Sequence, residues 1–273
     1  MQQPPGYPAP GVGKCILRLQ KALYGLKQAR HCWYQTFSTI LSTLSFTQCS
    51  IDQAVYHKMN TVVCKLTVIM VHVDDCMIAA SAPRLVDDLK AGLSKHMEVT
   101  DLGELHWMLG IEVKHDQVAG TIHLSQWAYI DAILKRFNLA NAKPLSTPMD
   151  VQARLTSEQA PASMAEFAAM CDIPYCEAVG ALNWAALATR PNISFAVSTV
   201  ARFVLNLGPA HWEAVKQIFC YLAGSRDLWL SYGEACCTLI SYTDADGSMA
   251  EDRHTILGYA FLIDGGAVSW SSK

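Results

Sequence analysis

The stretch Lys65-Leu-Thr-Val-Ile-Met-Val-His-Val-Asp-Asp-Cys-Met-Ile-Ala-Ala80 decides how this chain is read. It is an apolar, strand-like run interrupted by Asp74 and Asp75. Burying one unpaired carboxylate is costly, and burying two adjacent ones costs more. Two readings reconcile the acids with their surroundings. Paired carboxylates hold a divalent metal for phosphoryl-transfer chemistry. Alternatively the pair marks a hairpin turn, where Asp is favoured because it hydrogen-bonds its own backbone.

Outward from this point the pattern is mixed. Residues 62–73 read as a strand, and residues 76–80 as its returning partner. Over residues 29–44, Trp33, Phe37, Ile40, Leu41 and Leu44 recur at helical spacing, an aromatic stripe more typical of core than of a binding surface. Ser81-Ala-Pro83 starts a helix with Leu85, Leu89 and Leu93 on one face. Residues 105–113 read as a strand paired with 121–124 across a loop ending at Gly120. Ser125 then caps a short helix carrying Tyr129, Ile130, Ile133, Leu134 and Phe137. Residues 141–163 form a linker rich in Pro, Ser and Thr. Helices follow over 175–189, 193–206 and 210–223, and strands over 228–232, 237–243, 257–263 and 267–271. The fold class is α+β.

With 51% hydrophobic and 16% charged residues, the composition is that of a folded chain and not a disordered one. The net charge of −3 is an odd balance for a protein that handles nucleic acid. The distribution differs: Lys14, Arg18, Lys21, Lys27 and Arg30 precede the first acid, Asp52. Such a region can follow a phosphate backbone, or it can be a solvated helix face. The Pro-rich start lacks the features of a signal peptide, and no run reads as a membrane span. Cys15, Cys32, Cys49, Cys64, Cys76 and Cys220 sit in apolar segments and read as small buried hydrophobes of a reduced compartment. Cys171 and Cys176 have four residues between them and Cys236 and Cys237 are adjacent; neither pair has zinc-ligand spacing with a matching second pair.

Several segments match one family in one order. Lys21-Ala-Leu-Tyr-Gly-Leu-Lys-Gln-Ala29 with Trp33-Tyr34, His72-Val-Asp-Asp75, Asp101-Leu-Gly-Glu-Leu105 and Leu109-Gly-Ile-Glu-Val113 come first. Leu124-Ser-Gln126, Ala188-Thr-Arg-Pro191, Gly208-Pro-Ala-His-Trp212, Ser241-Tyr-Thr-Asp-Ala-Asp246, Gly258-Tyr259 and Val268-Ser-Trp-Ser-Ser-Lys273 follow. The ordered set resembles the reverse transcriptases of copia-type retrotransposons, including the start of their ribonuclease H domain.

The resemblance implies a partial polymerase palm over residues 1–140, a linker over 141–163 and a helical connector or thumb over 164–226. Residues 227–273 would be the first part of a ribonuclease H-like sheet. The implied activity is RNA-directed DNA polymerisation by two metals about 3.5–4 Å apart, Mg2+ or Mn2+. Asp74 and Asp75 would be the catalytic and metal-binding acids. Gly25 and Gln28 would line the nucleotide pocket, and Leu109 and Gly110 would lie in the hairpin that grips the primer strand. Asp244 would be the first ribonuclease H ligand. The implied partners are an RNA template, a DNA primer and deoxynucleotide triphosphates, with no membrane. The implied setting is a cytoplasmic virus-like particle, although no localisation signal stands out. Gly25 also reads as a simple turn, and Leu109-Gly110 as a strand bulge.

Departures from the family pattern shape the expectation. Gln3-Pro-Pro-Gly-Tyr7 matches a segment that follows the family's other polymerase aspartate, so the fingers and first catalytic strand are expected to be missing. His72 replaces a tyrosine, Arg30 stands where proline is expected, and the later ribonuclease H acids are not matched. On a continuous strand His72 would share a face with Asp74 and compete with metal. The expectation is weak magnesium binding, lost polymerisation unless a complementing polyprotein chain supplies the missing acid, and an exposed strand edge. The rival readings are a non-catalytic nucleic-acid-binding remnant and an inert relic of a decayed element.

Overall fold

Helical spacing at one end of the chain and alternation beside it generate the first folded unit. The computed structural model describes residue 16 and residues 18–60, 64–150, 152–233, 238–246 and 256–272. It divides into units spanning residues 1–104 and 105–273. In the first, α1 (Ala29–Thr43) buries Phe37, Ile40 and Leu41. It covers a four-stranded antiparallel sheet of β1 (Thr47–Gln48), β2 (Val55–Asn60), β3 (Lys65–His72) and β4 (Asp75–Ala80), in that order. α2 (Pro83–Ser94) starts with Pro at its first turn, where the missing N–H costs nothing, and buries Leu89 and Leu93. These side chains meet Tyr56 and Ile69 from the sheet in one core. The expected helices and the returning strand form as read. Residues 62 and 63 of the expected strand lie outside the described residues.

The second unit begins with β5 (Trp107–Met108), β6 (Ile111–Asp116), β7 (Thr121–Ser125) and α3 (Trp127–Arg136). The helices α4 (Met164–Cys171), α5 (Tyr175–Ala188), α6 (Ser194–Ala201) and α7 (Pro209–Gly224) follow, then β8 (Leu230–Tyr232), β9 (Ile240–Asp246), β10 (Ile256–Ile263) and β11 (Gly266–Ser272). The main core packs α3, α5, α6 and α7 around Leu182, Ile193, Val200, Ile218, Phe219 and Leu222. Two antiparallel sheets flank it, in the orders β5-β6-β7-β8 and β11-β10-β9. Thus β8, read from sequence together with the last three strands, pairs instead with β7. Residues 105–140 also fold with the helices that follow them. Trp270 of β11 donates its indole N–H to Ala186 O at 2.8 Å, so this strand is anchored on α5.

Polar anchors explain two connector motifs. Arg190 is buried and donates to Ser225 O at 2.8 Å and Ser225 Oγ at 2.5 Å. It places a cation on the carbonyl end of α7, where the helix dipole is negative. Gly208 precedes α7, and a Cβ there would lie 1.8 Å from Gln159 O. Fully buried His211 accepts the Gly208 N–H on Nδ1 at 2.8 Å, and its Nε2 bonds Thr156 O at 3.0 Å. These contacts fasten the 141–163 segment to the helical core.

The cysteine expectation is corrected: Cys32, Cys64 and Cys76 are exposed, and Cys49 and Cys220 are half-buried. Apolar flanks do not decide which face a residue occupies. Cys32, for example, lies off the Phe37–Leu41 stripe. Cys15 lies outside the described residues.

Gly208→Ala is expected to destabilise the second unit by about 1–3 kcal/mol, because the clash is with backbone; urea unfolding measures it. Burial holds the His211 pKa below its ordinary value, partly offset by the Thr156 carbonyl. The unfolded chain therefore binds more protons between the two pKa values. Stability is full above about pH 6.5 and falls as pH drops below it. Unfolding midpoints at pH 7.5 and 5.5 should show this fall, with a smaller fall in His211→Gln.

Candidate functional site

In the first unit the alternation of β3 sets the geometry of the acids. The β3–β4 ladder closes with His72 opposite Asp75, leaving Val73 and Asp74 as a two-residue loop. Ile69 and Val71 pack into the core. Period-2 alternation then puts Met70, His72, Asp75 and Met77 on the opposite face. Asp74 and Asp75 are both exposed, so neither carries a burial penalty. His72 is the cross-strand neighbour of Asp75 and does not share a strand face with Asp74, because the turn intervenes. The hairpin reading describes this geometry, and it leaves both carboxylates open to a cation.

The turn is strained and externally held. Val73 has φ +55°, a left-handed conformation that a β-branched residue adopts at a cost of about 1–3 kcal/mol. The indole Nε1–H of Trp33, from α1, donates to Val73 O at 2.7 Å. Trp33 in turn stacks on Phe37, with centroids 5.4 Å apart and planes 30° apart. Beside this bond lies a cavity of about 180 Å³ walled by Arg30, Trp33, Tyr34, Phe37, Tyr56, Val71 and Val73, among others. Three of the lining residues are tied together by Gln48, whose amide donates to Gln53 O at 2.7 Å, to Tyr56 OH at 3.1 Å and to Tyr34 OH.

Cys76 pairs with Val71, which puts its thiol on the core side of the edge strand β4 although the residue as a whole is exposed. Burial first, then the Asp75 and Asp74 carboxylates, push its pKa up to about 11. The thiol is therefore protonated and unreactive at neutral pH.

Two carboxylates suit a hard divalent cation in donor type. Among the described residues, however, no group of three or more His, Cys, Asp or Glu is placed to hold a metal ion. A two-metal cage on this turn needs a further carboxylate from another segment.

Gly25 has φ +90°, and a Cβ there would meet nothing within 4 Å. The turn conformation itself thus requires glycine. Gln28 is exposed immediately before α1, and its carbonyl accepts the Cys32 N–H at 3.0 Å. Arg18, Lys21, Lys27 and Arg30 are exposed. Lys14 lies outside the described residues.

In the second unit, Leu109 and Gly110 form the two-residue loop between β5 and β6, with φ +53° and +77°. The expected continuous strand over residues 105–113 is corrected to this hairpin. Two successive positive φ values are the type I′ pattern, which favours Asn-Gly. A leucine there, 44% exposed, is a local misfit in want of a reason. Around it Trp107 and Trp127 meet edge-on at 6.5 Å, and Trp127 Nε1 donates to Glu112 Oε2 at 2.5 Å. Lys114 lies 4.1 Å over the Trp229 ring. Asp244 is exposed on β9 opposite Gly258, and its Oδ1 accepts the Ala245 N–H at 2.9 Å. Sequence reasoning missed the tie between Trp33 and Val73, whose acceptor is a backbone atom with no sequence signature.

The profile of the reverse transcriptase (RNA-dependent DNA polymerase) family matches residues 1–151. The chain is 38% identical over 274 residues to the retrovirus-related Pol polyprotein from transposon TNT 1-94 of Nicotiana tabacum, covering 100% of this chain and 21% of that one. It is 34% identical over 277 residues to the corresponding polyprotein from transposon RE1 of Arabidopsis thaliana, covering 100% and 18%. It is 30% identical over 276 residues to a putative transposon Ty5-1 protein of Saccharomyces cerevisiae, covering 100% and 86%. The chain thus spans about a fifth of the two plant polyproteins. No solved structure matches it. Among the described residues no helix is long and apolar enough to cross a membrane.

Leu109→Asn should stabilise the second unit by about 1 kcal/mol, since Asn tolerates the left-handed conformation. If Leu109 grips a primer, the same variant weakens primer–template binding. Urea unfolding and fluorescence anisotropy with a labelled RNA–DNA hybrid measure the two effects.

Proposed function

The chain belongs to the reverse transcriptases of copia-type retrotransposon Pol polyproteins, and from that premise we propose that its first unit is the part of the polymerase palm that carries two of the metal-binding acids. The observation that carries this reading is the placement of Asp74 and Asp75. They lie at the open end of a two-residue hairpin, on a four-stranded sheet backed by helices.

In this reading Asp74 and Asp75 hold Mg2+ or Mn2+, and a further carboxylate from another segment or a complementing chain completes the cage. The bound cations would activate the primer hydroxyl and neutralise the triphosphate. The chain's own residues bind and orient. The turn at Gly25 and the start of α1 at Gln28 face the deoxynucleotide triphosphate. Arg18, Lys21, Lys27 and Arg30, with Lys14, track the template phosphates. Leu109 and Gly110 seat the primer strand, with the exposed Trp107 and Trp127 beside them as stacking surface. β9 to β11 are the opening strands of a ribonuclease H-like sheet, with Asp244 as one ligand. A second reading, nucleic-acid binding without chemistry, is favoured by the absence of a three-acid cluster among the described residues.

Manganese titration followed by electron paramagnetic resonance separates these readings. The expected result is binding with a dissociation constant on the order of a millimolar, as for sites with few charged ligands, weakened about tenfold or more in Asp74→Ala. Equal binding by the two proteins would remove the metal role.

A further inference from the structure

We infer that Trp33 is a positioning residue for the catalytic turn: its indole N–H, by holding the Val73 carbonyl, sets the direction in which Asp74 and Asp75 are presented. The inference rests on the reading of those acids as metal ligands and extends it to a residue forty positions away. Three observations carry it.

The turn does not hold itself. Val73 is β-branched and sits at φ +55°, so the isolated hairpin would relax toward another geometry. Val71 packs against the core, but a cavity of about 180 Å³ also borders Val71 and Val73, so the space behind the turn is only partly filled. What does reach the turn is the Trp33 Nε1–H, at 2.7 Å from Val73 O.

That acceptor belongs to the peptide unit joining Val73 to Asp74. The unit is planar, so fixing the direction of its carbonyl fixes its N–H and the Cα of Asp74. The donor is itself immobilised. Trp33 stacks on Phe37, which is 3% exposed in the core of the unit. Position therefore passes from the core through Phe37 and Trp33 to the turn, and the last link is a bond to the Val73 carbonyl and not to a carboxylate. A phenylalanine at position 33 would preserve the stack and lose the donor. Replacing Trp33 with benzothienylalanine would preserve even the ring size, since sulfur replaces only the N–H.

The test is amide NMR of the chain, comparing the native protein with Trp33→Phe and with the benzothienylalanine substitution. The expected result is displaced and exchange-broadened signals for Val73, Asp74 and Asp75 in both variants, with Ile69 and Leu41 signals unmoved. Manganese should then broaden the turn signals only at about tenfold higher concentration than in the native protein. Turn signals in the isosteric variant that coincide with the native ones would overturn the proposal, whatever Trp33→Phe does to folding. Turn signals displaced together with those of Ile69 and Leu41 would also overturn it, because they would mean a general packing role. The metal reading fails separately: manganese would then broaden no turn signals in the native protein, or the same ones in Asp74→Ala, while the metal-free spectra still decide the role of Trp33.

Discussion

The register of β3 against β4 is the constraint on which the first unit depends. Ile69 is fully buried and Val71 packs against the same core. A slip of one residue would carry this pair to the open face and drive His72 and its neighbours inward. The register that avoids this leaves two residues, Val73 and Asp74, to close the hairpin. The exposure of both acids is thus a consequence of where the apolar residues must go. The unfavourable φ of Val73 follows from the same register, and α1 meets that strain with the one polar atom of an otherwise apolar side chain.

The second unit uses the same device at other places. A buried polar group is costly unless it is bonded, and here buried polar side chains tie distant segments together. Arg190 reaches the end of α7, His211 reaches the linker at Thr156, and Thr189 donates to the buried Gln126 Oε1 at 2.8 Å. Tyr175, also buried, donates its hydroxyl to Val200 O at 2.8 Å and joins α5 to α6. The matched motifs of this half are explained by closing contacts in the fold more than by chemistry. The Leu109–Gly110 hairpin and the exposed Asp244 on β9 stand apart from this pattern. The hairpin's apolar, exposed, left-handed residue serves no evident folding purpose.

What could be read from sequence was the local pattern. Helical spacing located α1 and α2, and alternation located β3 and β4 with the acids between them. Residues 105–113 were misread because Leu109 is apolar and carried the strand pattern through a turn that normally shows Asn-Gly. α4 was not singled out, although Ser163 and Glu166 form an S-x-x-E start in which Ser163 Oγ accepts the Glu166 N–H at 3.2 Å. The pairing of β8 with β7, across more than a hundred residues, and the bond from Trp33 to a backbone carbonyl have no local signature at all. The candidate acids were therefore legible, and the groups that aim them were not.

The most direct test of the account is primer extension on an RNA template. This chain would replace the matching segment of an active Pol polyprotein of its family, so that other segments supply the remaining acid. The account predicts metal-dependent extension that falls at least about a hundredfold in Asp74→Ala, the scale expected when a group that stabilises transition-state charge is removed. Undiminished extension in Asp74→Ala, from a chimera that folds, would contradict it.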